Sequence, residues 1–172
     1  MNPQNYNDVK FRIIFNIHYH YMRSKALALL DKTLTVLIVI SGTAIFGRIG
    51  DQNSVIIGIF VSIIATTQLV FDFRGSCNNH DNIRKMYFDT LLRIEKISRE
   101  DSAALLQLNE EILKICSIEP TPLKVLELSA HNRACDALGY PRSDKYIIPW
   151  YLHNLSGYFS FDRFKLIKDV DQ

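Results

Sequence analysis

The sequence predicts an all-α membrane protein: a two-helix transmembrane hairpin, preceded by an N-terminal amphipathic helix and followed by a C-terminal cytoplasmic helical region. Two observations carry this expectation. Between Thr33 and Phe73 the only charged residues are Arg48, Asp51 and Asp72, whereas both flanks are charge-rich throughout. The apolar tract is also divided once, by Gly47-Arg48-Ile49-Gly50-Asp51-Gln52-Asn53, whose glycines and polar residues signal a tight turn.

Averages conceal this segregation. A chain of 172 residues with 48% hydrophobic and 22% charged residues and a net charge of +2 would suit many soluble proteins. Near-neutral charge without a long basic run argues against nucleic acid as a partner, which calls for a basic stripe. Cys77, Cys116 and Cys135 are too few and too scattered for a disulfide framework, and read as free thiols.

Residues 1–26 form the first expected element, a cytoplasmic or interfacial helix. From Tyr6 to Arg23, Phe11, Ile14, Phe15, Ile17, Tyr19 and Tyr21 are mixed with basic residues. Such aromatics suit a headgroup interface or packing on the helical region.

Residues 27–73 form the hairpin, with spans at about 27–46 and 54–73. Leu27 to Leu30 and Thr33 to Phe46 together cover about 30 Å at the helical rise, the thickness of the hydrocarbon core. Asp31 and Lys32 interrupt them. Each would cost about 2.5–3.5 kcal/mol at the bilayer centre, so the pair marks a boundary, where Lys32 can snorkel. Ser54 to Phe73 carries no charge before Asp72 and is again of spanning length. The short turn makes the two helices antiparallel neighbours.

Orientation follows from the cations. Lys10, Arg12, Arg23, Lys25 and Lys32 precede the first span, Arg74, Arg84 and Lys85 follow the second, and only Arg48 lies in the turn. Both termini are therefore expected in the cytoplasm, with the spans in the inner membrane. A signal peptide fits poorly, because a long polar stretch comes first and no A-x-A-like cleavage site follows. Two buried core helices of a soluble fold are the other alternative, but such runs joined by a short turn are rare in folds of this size.

Gly58, Ser62 and Thr66 recur every fourth residue and form one small, partly polar stripe, with Thr67 and Gln68 just beyond. Thr35, Gly42 and Thr43 fall on roughly one face of the first span. Close helix packing is one reading, since small residues let backbones approach. A face lining water in an oligomeric pore is the other, and it would account for Gln68 at a depth where an unpaired amide is costly.

Residues 74–172 form the cytoplasmic helical region. Ile83, Tyr87, Leu91, Ile94 and Ile97 recur at helical spacing over Asn82 to Ser98, with Met86, Phe88 and Leu92 widening the stripe. A helix from Ser102 to Cys116 follows, with Asp101 or Ser102 as its cap. Pro120 and Pro122 end it. The next helix is expected to start with Thr121 as N-cap and Pro122 as its first residue, and to stop at Gly139 after Leu138. Tyr146, Trp150, Tyr151, Tyr158, Phe159, Phe161 and Phe164 make the tail aromatic, as a strap across the region or an interfacial anchor. Two helices cannot enclose a water path and the apolar stripes are wide, so a homo-oligomer is expected.

Signs of catalysis are lacking. His18 and His20 point to different sides of a helix. His131 with Cys135 and Cys77 with His80 have ligand-like spacing, but neither pair has third and fourth ligands nearby in sequence, so no metal or other cofactor is expected. No nucleophile elbow, phosphate loop or dinucleotide fingerprint is present, which argues against an enzyme.

The two spans behind a basic helix, the run His80-Asp81-Asn82-Ile83-Arg84-Lys85-Met86-Tyr87-Phe88-Asp89-Thr90-Leu91-Leu92-Arg93-Ile94-Glu95, the segment from Glu119-Pro120 through His131-Asn132-Arg133 to Leu138-Gly139, and the closing Trp150-Tyr151 with a Phe-rich end resemble the SLATT family over nearly the whole chain. These are two-transmembrane effector domains associated with nucleotide-signalling systems of bacterial anti-phage defence. The resemblance implies an oligomeric, pore-forming or membrane-disrupting effector of abortive infection, with the lipid bilayer as its target and a nucleotide second messenger or its sensor protein as its trigger. It implies no catalytic or ligand-binding residues. The bare sequence also suits a non-conducting membrane scaffold or regulatory subunit that anchors a partner through its cytoplasmic helices.

Overall fold

A computed structural model describes residues 5–46, 52–161 and 163. Gly47 to Asp51, the body of the expected turn, and Phe164 of the aromatic tail lie outside the described residues. All regular elements are helices, and no β-strand occurs among the described residues. They are α1 (Tyr6–Phe46), α2 (Gln52–Phe71), α3 (Phe73–Ile94), α4 (Ser102–Cys116), α5 (Lys124–Leu138) and α6 (Trp150–Leu155), with a 3-10 turn at Arg142–Asp144. Two helical stretches, Tyr6–Thr43 and Ser54–Ile94, are long and apolar enough to cross a membrane.

The chain divides into two compact units, Met1–Arg23 with Asn79–Gln172, and Ser24–Asn78. In the first, Tyr6, Val9, Ile13 and Ile17 of α1 join Ile83, Tyr87 and Ile94 of α3 and Leu105, Leu108, Ile112 and Ile115 of α4 in one core. Burying each large aliphatic side chain contributes about 1.5–3 kcal/mol, so this cluster dominates the unit's stability. Tyr19, Leu126 and Ala130 form a second cluster that seats α5 on α1. The aromatic N-terminal stretch therefore packs on the helical unit through its buried residues. Leu152 of α6 is buried as well.

Helix ends show where local signals prevail and where tertiary contacts do. Asp101 caps α4 as expected, its Oδ1 accepting from Ala104 N–H at 3.0 Å. Gly139, at φ 72°, closes α5 with Tyr140 N–H donating to Cys135 O at 2.9 Å, the left-handed stop that glycine permits. Helices α5 and α3 differ in their bounds from expectation. Helix α5 begins at Lys124, not at Pro122, because Leu123 holds extended backbone and donates its N–H to Tyr19 Oη at 3.0 Å, a cap supplied from α1. Helix α3 begins at Phe73, not Asn82, and ends at Ile94, where Tyr6 Oη donates to the Ile94 carbonyl at 3.4 Å.

The second unit carries α2 and the C-terminal part of α1. Among the most apolar residues of each helix, only 6% in the first and none in the second are buried, unlike the core helix of a soluble protein. Asp72 alone separates α2 from α3. It adopts φ 39° and its Oδ1 accepts from Gly75 N–H at 2.9 Å, capping the new helix. A side chain at Gly75 would collide with that carboxylate.

Candidate functional site

Of the residues singled out on the second apolar helix, the structure groups three and separates the fourth. Gly58, Ser62 and Thr66 line a shallow open groove together with Val55, Ile59, Ile63 and Thr67. Ser62 Oγ donates to the Gly58 carbonyl at 2.9 Å, and Thr67 Oγ1 to the Ile63 carbonyl at 2.8 Å. These hydroxyls are satisfied within their own helix. Gln68 stands on another side of α2, two residues and about 200° on from Thr66 at the helical repeat. Its Nε2 donates to Asp31 Oδ1 at 2.6 Å and to Thr35 Oγ1 at 2.9 Å, while Thr35 Oγ1 donates to the Asp31 carbonyl. The amide that a water-lined face would explain is thus paired with the carboxylate that interrupts the first apolar stretch.

A second group, unforeseen from sequence, lies inside the helical unit. His20 is fully buried on α1 and His80 is 4% exposed on α3, with their Nδ1 atoms 2.8 Å apart. One nitrogen must donate and the other accept. His20 Nε2 lies 3.3 Å from Glu119 Oε1, within ion-pair reach but turned off the hydrogen-bond axis. The same carboxylate oxygen accepts from Tyr87 Oη at 2.5 Å, and Cys116 Sγ lies 3.2 Å from that hydroxyl. Arg12 closes the chain, donating to Cys116 Sγ and to Asn109 Oδ1, each at 3.3 Å.

Protonation states follow from these surroundings. Burial, with the charges of His20 and Arg23, lowers His80 to about 4, so it is neutral at pH 7. Burial raises the Tyr87 hydroxyl, and Cys116 and Glu119 add to the effect, so Tyr87 keeps its proton and donates it. Burial acts to raise Glu119, but His20, Tyr87 and the Arg12 charge outweigh it and hold the carboxyl below its ordinary range. Glu119 is the anion of the group.

The ligand-like pair on α5 sits among aromatic rings. Cys135 Sγ lies 3.6 Å from His131 Nδ1, and the His131 ring packs edgewise on Phe11 and Tyr146. Burial and the Asp144 carboxylate push the Cys135 thiol up. His80, which stands at ligand-like spacing from Cys77, turns to His20.

Comparison with known proteins finds no matching family model, no matching curated protein and no matching solved structure. The site must therefore be read from its own geometry. The buried group bridges α1, α3 and the α4–α5 connection with charge-assisted bonds, which position helices well. A signal for it was present. The stripe of Ile94, Tyr87 and Ile83 reaches His80 one step earlier, and that of Ile13 and Ile17 reaches His20 one step later.

Proposed function

We propose that this chain is a two-span inner-membrane protein, its spans paired as a hairpin with both termini cytoplasmic, that oligomerises and permeabilises the membrane as an effector of anti-phage defence. Its trigger is a nucleotide second messenger or the sensor protein of one. The observation that carries the membrane part is the bareness of α2: Ile59, Phe60 and Ile63 are 56%, 62% and 57% exposed on a helix of 20 residues without a charge. Hydrocarbon is the solvent that such a surface fits. Pairing of Gln68 with Asp31 supports the hairpin, because it removes the polar groups that lipid would penalise. The effector role is supported by the resemblance to the SLATT family.

Exposed apolar side chains on the helical unit favour one other reading. Leu92 of α3 and Leu106 and Leu113 of α4 are 62%, 59% and 51% exposed, as a scaffold that anchors a partner would have them. Induced expression separates the two. An effector depolarises cells and admits a membrane-impermeant dye, with the protein in the membrane fraction; cells that stay polarised and dye-free at the same protein level would leave the scaffold.

A further inference from the structure

We propose that the outward face of α6, formed by Trp150, Tyr151 and Leu155 with Phe159 just beyond, docks in the headgroup layer of a lipid bilayer. The inference rests on the membrane reading above. Which side of α6 faces outward is determined by its seat: Leu152, Ser156 and Gly157 are buried, and His153 Nδ1 lies 3.2 Å from Ser129 Oγ of α5. On the other side Trp150 is 76% exposed, Tyr151 51%, Leu155 43% and Phe159 59%. Asn154 is exposed among them, but the rest of this face is apolar and carries two rings with a single polar atom each. Indole and phenol are the side chains that settle where hydrocarbon meets water, with the ring body in the apolar part and the N–H or O–H in the wet part.

Lipid is favoured over a second copy of the chain by where α6 is tethered. Arg23 Nη1 donates to the Gly157 carbonyl, directly after α6. Arg23 stands four residues before Leu27 in the unbroken helix α1, about 6 Å along its axis at the helical rise. The end of α6 is thus tied to the chain four residues before the apolar stretch begins, within chain reach of the headgroup layer around the proposed span.

The chain contains a single tryptophan, so its fluorescence reports Trp150 alone. The test is the full-length protein reconstituted in phosphatidylethanolamine and phosphatidylglycerol vesicles, with and without lipids brominated near the glycerol, and titrated with acrylamide. Expected is loss of most of the emission to the brominated lipid and protection from acrylamide. Emission quenched by acrylamide but untouched by bromine places Trp150 in water and overturns the proposal; emission touched by neither buries it against protein, a second copy included, and overturns it too. Alkaline carbonate extraction of the same vesicles tells the two levels apart. Protein retained after carbonate with Trp150 in water defeats this inference alone, whereas protein released by carbonate defeats the membrane reading and this inference with it.

Discussion

His20 and His80 meet Nδ1 to Nδ1 at 2.8 Å in the interior of the helical unit, and only one proton can lie between them. Because His80 is lowered from 6.5 to about 4 in the fold, the unfolded chain takes up a proton that the native state refuses. Stability therefore falls as pH drops from 6.5 towards 4, and the lowered Glu119 extends the loss below its ordinary range of 4.5. Thermal unfolding of the detergent-solubilised protein should show a falling midpoint over that window. His80→Gln should flatten the part above pH 4; an unchanged slope would refute the assignment.

Tyr87 supplies a hydroxyl donor to Glu119. Tyr87→Phe should destabilise by about 1–3 kcal/mol, because it leaves a partly buried carboxylate short of a donor. Adding Glu119→Gln should recover part of that loss, since the neutral amide suffers less from burial. Denaturant unfolding of both variants measures the difference, and equal stability of Tyr87→Phe and the parent would count against the network.

Much of the helical content was legible in the sequence, because apolar periodicity and capping chemistry are local. Asp101 and Gly139 act where their side-chain and backbone chemistry predicts. The start of α5 was not legible, because the group that caps Leu123 is Tyr19 Oη, a residue distant in sequence. Nor was the polar core. Local spacing sets His20 beside His18 and His80 beside Cys77, although each histidine continues a buried apolar stripe, and polar positions in such stripes find one another only once helices pack. Gln68 was grouped with Thr66 by nearness in sequence, while helical rotation turns it towards Asp31.

That last pairing makes its own prediction. Gln68→Leu should lower the amount of membrane-inserted protein, since it strands the Asp31 carboxylate in an apolar setting. The double change Asp31→Leu with Gln68→Leu should restore the level, as replacing both partners by apolar groups removes the stranded charge. Immunoblots of carbonate-washed membranes decide it; a double variant as depleted as the single one would mean the pair is not what matters.

The groove at Gly58, Ser62 and Thr66 offers a test whose sign separates two roles. Should these residues pack helices together, Ser62→Leu and Thr66→Leu drive neighbours apart and reduce oligomer size and protein level. If they line water, the oligomer persists while dye uptake vanishes, because an apolar constriction expels water. We expect the second outcome. Undiminished uptake in both variants, with the oligomer intact, would remove this face from the conducting path.

The reach of the bonds made by α1 bears on the order in which the protein can be made. Tyr6 finds its partner at Ile94, Tyr19 at Leu123 and Arg23 at Gly157. At about 5–20 residues per second, the ribosome needs several seconds between emergence of Asn79 and of Gly157. Throughout that interval the Ser24–Asn78 unit is already complete in sequence, while Tyr19 waits for Leu123 and Arg23 for Gly157. In the proposed membrane protein, both apolar helices can therefore insert before the helical unit closes around the N-terminal stretch, and the newborn chain passes through a stage in which its spans are made and Arg23 still lacks its partner.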